Sequence, residues 1–233
     1  MKFIKSILLT FFLLIMNISY AQQGPDEDQL GAWYMYFFNK SFEKSQFGIQ
    51  GDYQFRYWDF GGDLEQVLLR TGVTYRPKNA DILFTLGYGN ITSGTFGERT
   101  STTTESRVYQ EALFTQKIGS RFLLTHRIRS EQRWVEDQDF RTRYRYNLFL
   151  NIPFNDTKLR KGVIYAALYN EIFINGETSV GEGRTVEHFD RNRTYLGLGY
   201  GLRKNLRFQV GWMRQTTANW AINQSQISLH HSF

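Results

Sequence analysis

Arginine recurs at every second position in three stretches of this chain: Arg127, Arg129 and Arg133 around Glu131, then Arg143 and Arg145, then Arg191 and Arg193. A guanidinium stays charged at any ordinary pH and presents five donors in a rigid planar fork. Gathered on one face, such groups can grip carboxylates and build a polar network, or they can hold and pass anions. Asp52 alternates with Arg56 in an earlier stretch, Arg70 follows, and Glu111, Glu131 and Glu171 supply further carboxylates on the arginine side. With Arg76 and Arg207 added, eleven arginines stand against these four acids, and a surplus of seven calls for counter-ions or an anionic ligand.

The other residue types capable of chemistry are less well arranged. Of the four histidines, His126 shares a strand face with Ser130, but four residues along a strand span roughly 13 Å, too far for a nucleophile and its base. His188 falls in a loop beside Glu187, while His230 and His231 lie near the chain end. No nucleophile elbow, metal-binding helix motif or phosphate loop occurs. The chain reads as non-enzymatic, with no catalytic, cofactor-binding or metal-binding residues, and a lipid-modifying hydrolase using His126 is the enzymatic alternative. Asp63, Glu136, Asp137 and Asp139 read as solvated loop acids, or else as ligands for calcium bridging lipopolysaccharide.

The elements that carry the arginines are strands. From Phe47 to Tyr57 the chain alternates without a slip, with Phe47, Ile49, Tyr53, Phe55 and Tyr57 on one face and Gln50, Asp52, Gln54 and Arg56 on the other. The same contrast recurs in later strands. An arginine facing lipid at the bilayer midplane costs about 2 to 4 kcal/mol, so several on adjacent strands must face inward. The expected fold is all-β: an antiparallel transmembrane β-barrel with a polar, Arg-rich lumen. Lumen-lining residues are Asp52, Arg56, Arg70, Arg127, Arg129, Glu131, Arg133, Arg143, Arg145, Glu171, Arg191 and Arg193. Only the strand around 106–117 has balanced faces, Tyr109, Glu111 and Leu113 against Val108, Gln110 and Ala112.

Segment by segment, eleven strands can be counted between residues 30 and 233. Bacterial single-chain barrels have even numbers, so twelve strands are expected, with ten as the alternative. A third solution keeps eleven and threads residues 22–29 through the lumen. Short turns alternate with longer connections, which suits a barrel with turns on one side of a membrane and loops on the other.

Met1 to Ala21 reads as a signal peptide: Lys2 and Lys5, an apolar run from Ile7 to Ile18, then Ser19-Tyr20-Ala21 before a cut. Residues 22–29 form a short N-terminal segment and 30–233 the barrel. No cysteine is present, so neither a disulfide nor a lipid-modified cysteine occurs in this sequence. The formal charge of +6 is spread over strands and turns, a distribution unlike a nucleic-acid-binding patch, and export removes that partner. Ile227, Leu229 and Phe233 alternate to the terminus in the manner of the signal read by the barrel-assembly machinery of the outer membrane, with His231 departing from that pattern.

Taken together, Leu30-Gly31-Ala32-Trp33, the segment His126 to Arg133, Arg143-Tyr144-Arg145-Tyr146, Tyr169 to Phe173 and the end Leu229 to Phe233 resemble a Bacteroidetes family of uncharacterised outer-membrane β-barrels, a domain of unknown function. The resemblance implies a location in the bacterial outer membrane and a barrel fold, and it transfers no catalytic residues. The expected function is that of a non-enzymatic barrel, structural or weakly channel-forming, with a side-chain-filled lumen. A small anion-selective pore is the alternative. Its partners would be outer-membrane lipid, lipopolysaccharide, the assembly machinery and, through an open lumen, small anions.

Overall fold

A computed structural model of the chain describes residues 28–233, apart from the side chains of Glu98 and Arg99. The expected signal peptide and the segment that follows it, up to Glu27, lie outside the described residues. The strands are β1 (Leu30–Ser41), β2 (Phe47–Tyr57), β3 (Leu64–Tyr75), β4 (Ile82–Thr95), β5 (Glu98–Ile118), β6 (Phe122–Val135), β7 (Arg141–Pro153), β8 (Ile164–Asn175), β9 (Ser179–Gly181), β10 (Arg184–Thr185), β11 (Phe189–Arg203), β12 (Leu206–Thr216) and β13 (Ala221–Ser232). β9 and β10 form a small hairpin of their own, and the other eleven close into a barrel in the order β1-β13-β12-β11-β8-β7-β6-β5-β4-β3-β2.

The closure corrects two expectations. The described chain has eleven barrel strands, neither twelve nor ten, and the sheet is mixed. β1 runs parallel to β13 from Leu30 opposite Asn223 to Asn39 opposite Ser232, while the other neighbours are antiparallel. An odd number of alternating strands can close only by bringing two strands of the same direction together. A parallel ladder is only slightly less stable per residue than an antiparallel one, so no further strand is needed to complete the ring.

The alternation seen in the sequence determines which side chains enter the barrel. In β2, Asp52, Gln54 and Arg56 are buried while Ile49, Tyr53 and Phe55 are exposed. β5 resolves its balanced faces by sending Glu105, Arg107, Tyr109 and Glu111 inward. The barrel exterior is a band of aliphatic and aromatic groups that includes Leu86 (61% exposed), Leu196 (57%), Val73 (56%) and Ile128 (54%). No helix among the described residues is long and apolar enough to cross a membrane, which says nothing about crossing by strands.

One rim of the barrel carries the connections 42–46, 76–81, 119–121, 154–163 and 204–205 (the turn end). The other carries 58–63, 96–97, 136–140, 176–188 and 217–220 (the loop end), and β1 starts there. The sorting by length is imperfect. The connection after β4 narrows to Phe96 and Gly97, with Gly97 at φ +77°, because β4 runs to Thr95 and β5 begins at Glu98. Loop acids act as backbone acceptors. Asp59 takes the amides of Asp63, Gly61 and Gly62 at 2.7 to 3.0 Å, which holds its carboxyl below the usual carboxylate range. Asp63 accepts the Gly97 amide at 2.9 Å, and Glu136 accepts the Thr104 amide and hydroxyl, both at 3.0 Å.

Inside, glycines on one strand make room for tyrosines on the next. Gly199 lies opposite Tyr165 in the β11–β8 ladder and Gly87 opposite Tyr109 in the β4–β5 ladder. A Cβ at Gly199 would sit 2.1 Å from Tyr165 Cζ, and one at Gly87 2.2 Å from Tyr109 Cζ. Tyr165 also belongs to an apolar cluster of the interior, with Trp33, Val163, Ala167, Tyr195 and Met213. Gly199→Val should therefore displace the tyrosine and destabilise the barrel by about 1 to 3 kcal/mol, read from the denaturant midpoint. Adding Tyr165→Ala should restore part of that loss, and an unchanged midpoint for the single variant would dismiss the interlock.

Candidate functional site

Four adjacent strands bring the charged side chains together. In register, Glu111 of β5 lies opposite Arg129 of β6, which lies opposite Arg145 of β7, and one dyad toward the loop end Glu131 lies opposite Arg143. Glu131 is fully buried and is shared by four guanidinium groups: Arg145 at 2.6 Å, Arg143 at 2.7 Å, Arg107 at 3.4 Å and Arg129 at 3.6 Å. The network extends outward from it. Glu171 joins Arg145 at 2.6 Å to Arg127 at 2.7 Å, and Glu111 holds Arg129 and, at 3.7 Å, Arg127. Glu105 joins Arg107 to Arg133, each at 2.7 Å, and Asp190 joins Arg143 at 2.8 Å to Arg191 at 3.0 Å. Across the interior Asp52 pairs with Arg70 at 2.7 Å.

This network accounts for most of the expected lining residues. Asp52, Arg70, Arg127, Arg129, Glu131, Arg133, Arg143, Arg145, Glu171 and Arg191 are all members of ion pairs in the barrel interior. Arg56 and Arg193 are also buried inside but, among the described residues, form no ion pair within 4 Å. They flank Trp33 instead, their Cζ atoms 3.7 Å and 4.7 Å from its ring centroid. Arg56 donates to Gln54 and Gln66, and Arg193 Nε donates to Gln215 at 2.7 Å while the group also lies over Phe173. Cation–π contact supplies each of them with part of what an acid would supply, on the order of 0.5 to 2 kcal/mol.

Sequence reasoning missed three carboxylates and two arginines of the interior. Glu65 accepts from Trp33 Nε1 at 2.5 Å and from Gln224 at 3.2 Å, and Glu105 and Asp190 bind arginines as described. Arg107 and Arg141 add two cations, whereas Arg76 is exposed in the turn after β3. The interior thus holds Arg56, Arg70, Arg107, Arg127, Arg129, Arg133, Arg141, Arg143, Arg145, Arg191, Arg193 and Arg207 against Asp52, Glu65, Glu105, Glu111, Glu131, Glu171 and Asp190. The excess is five, smaller than the seven counted from sequence: eight of these arginines share six of the carboxylates in ion pairs, while Arg56, Arg141, Arg193 and Arg207 lie outside those pairs and Glu65 holds Trp33 and Gln224.

The two halves of the interior differ. The loop half is filled by the groups around Glu105, Glu131 and Asp190. The turn half contains a cavity of about 340 Å³, bounded by Trp33, Arg193 and Arg127 at its inner end and by Asn39, Arg207 and His230 toward the turn end.

The histidines and the loop acids assemble no further centre. His126 is on the exterior, stacked on Phe114 at 4.5 Å, with Nδ1 2.9 Å from Tyr146 Oη and Nε2 3.4 Å from Gln116 Oε1. Ser130 bonds Gln132 instead. His231 also faces out, between Tyr36 and Phe233, so its ring occupies the aromatic place in the alternating series Ile227, Leu229, Phe233. Among the described residues no three acidic or histidine side chains converge as metal ligands.

No curated protein matches this sequence. The family model described as protein of unknown function (DUF2490) matches residues 30–226, from the first residue of β1 into the middle of β13, and the chain belongs to that family.

Proposed function

We propose that this protein is an outer-membrane β-barrel, exported behind the leader 1–21, that is neither an enzyme nor an open pore and whose lumen is closed by its own side chains. The observation that carries the reading is the inversion of the ordinary pattern of burial: arginine and glutamate inside, aliphatic and aromatic side chains outside. A water-soluble monomer rarely exposes apolar patches beyond a few hundred Å², whereas a lipid-facing band suits this exterior. Rings such as Tyr144 and Trp134 toward the loop end and Phe47 and Phe154 toward the turn end fit the two interfacial girdles. The alternating end at Ile227, Leu229 and Phe233 fits recognition by the assembly machinery, and the setting is the envelope of a Bacteroidetes bacterium, with lipid and lipopolysaccharide as neighbours. A hydrolase reading has less support, because His126 bonds a tyrosine and a glutamine rather than a serine.

The refolded protein should migrate faster on a gel before boiling than after, and it should give no discrete conductance steps in a planar bilayer. Solubility without detergent would end the membrane reading. The arginine excess favours one alternative, a small anion-selective pore. Steps whose reversal potential shifts toward the anion would establish that pore and remove the closed lumen.

A further inference from the structure

The turn-half cavity is lined by seven arginines and three carboxylates. All three acids are already used: Asp52 by Arg70, Glu111 by Arg129, and Glu171 by Arg127 and Arg145. Among the described residues Arg56, Arg193 and Arg207 form no ion pair, whereas Arg127 Nε and Arg129 Nη1 make no hydrogen bond but face Glu111 at 3.7 Å and Glu131 at 3.6 Å. Arg193 is 5% exposed and has only its Nε engaged by a hydrogen bond. Removing such groups from water is costly unless an acceptor replaces the solvent. The rest of the wall is apolar, including Met35, Phe37, Leu113, Phe149 and Tyr195. A recess of about 340 Å³ with a few convergent polar groups in an apolar wall falls within the usual range for small-molecule sites.

We infer that this cavity binds an organic anion with an apolar body, its carboxylate or phosphate seated at Arg193 near the ring of Trp33 and its body against the aromatic wall. Arg207 stands toward the turn end and draws the anion inward; Arg193 supplies the charge-assisted hydrogen bonds at the inner end. The inference rests on the closed-lumen reading, since the groups around Glu131 make the recess blind. Both headgroups satisfy the guanidinium equally, so the body distinguishes this ligand from a free inorganic ion.

The test is calorimetric titration of the full-length mature barrel in detergent, with 3-phenylpropionate as probe. Its alcohol, 3-phenylpropanol, and inorganic phosphate serve as the two comparison arms. Saturable binding of the acid is expected, with the alcohol and phosphate each at least about tenfold weaker, the value of one charge-assisted hydrogen bond or a comparable apolar contact. Arg193→Gln should weaken the acid by about tenfold. Because Arg193 forms no ion pair within 4 Å among the described residues, and Glu171 keeps Arg127 and Arg145 while Glu65 keeps Trp33 and Gln224, that variant should keep the heat-dependent gel shift. Met35→Glu, which places a carboxylate inside the recess, should abolish binding independently. Equal binding of acid and alcohol, equal binding of phosphate, or full affinity in either variant would overturn the site. A heat-modifiable, non-conducting barrel that binds none of the probes overturns the site alone, whereas conductance overturns the closed lumen.

Discussion

Glu131→Ala is expected to cost about 3 to 5 kcal/mol of barrel stability, the value of removing one partner from a buried ionic network. The carboxylate is fully buried and shared by Arg107, Arg129, Arg143 and Arg145, so its loss leaves four guanidinium groups with less counter-charge than before. Arg107 and Arg143 would fall back on Glu105 and Asp190, which other arginines already occupy. Against a typical total of about 5 to 15 kcal/mol, such a loss is enough to reduce the folded yield visibly. Equilibrium urea unfolding in detergent micelles, followed by the heat-shifted band, measures it. Arg145→Gln should cost less, on the order of 1 to 2 kcal/mol, because Glu131 keeps three cations. The exposed pair Arg160 and Asp156 supplies the contrast: Arg160→Gln should change nothing beyond about 1 kcal/mol. An alanine variant at Glu131 within that same margin would show that the network is not what closes the interior.

Strand positions were legible because a period of two survives wherever one face meets water or charge and the other meets apolar surroundings. The Phe47 to Tyr57 alternation reappears as the burial pattern of β2 without an exception at Asp52, Gln54 or Arg56. The strand number was legible too, and the even-number rule displaced it. Nothing local marks the pairing of β1 with β13, since closure depends on where the two ends of the chain meet after every other strand is laid down. The parity of the turns carried the signal: β1 starts at the loop end and β13 finishes at the turn end, so the two run the same way.

The missed charges lie where the period breaks. Glu65 stands beside the register shift opposite Arg56 and Tyr57, and Asp190 lies in the shift between Phe189 and Arg191. A bulge puts neighbouring residues out of phase, so alternation alone does not assign such positions to the inner face. Glu105 was lost differently, because β5 extends back to Glu98, beyond the stretch around 106–117 that the sequence marks as a strand. Had the strand been carried that far, Glu105, Arg107, Tyr109 and Glu111 would have formed one inward series. With those acids placed, the interior changes from a strongly cationic conduit into a largely compensated network of eight arginines and six carboxylates, with Arg56, Arg141, Arg193 and Arg207 outside its ion pairs. A composition-level count has no access to that distinction, because it depends on which carboxylate lies within 4 Å of which guanidinium.

Removing Glu131 together with two of its arginines should have the opposite effect to removing Glu131 alone. In a chain carrying Arg107→Ser, Glu131→Ser and Arg143→Ser together, Glu105 keeps Arg133, Asp190 keeps Arg191, Glu111 keeps Arg129, and Glu171 keeps Arg127 and Arg145. No carboxylate is orphaned, and losing both sides of a buried ion pair together is far cheaper than losing one. The triple variant should therefore fold with a normal heat-dependent gel shift and in better yield than the single alanine variant. Three long side chains become short ones in the filled half, which joins the loop mouth to the cavity below it. Discrete conductance steps should then appear in a planar bilayer where the parent protein gives none. The remaining ten arginines face six carboxylates, so the reversal potential in a potassium chloride gradient should shift toward chloride. A folded triple variant that stays silent would move the closure from the Glu131 network to the loops above it, and a shift toward potassium would contradict the location of the arginine excess.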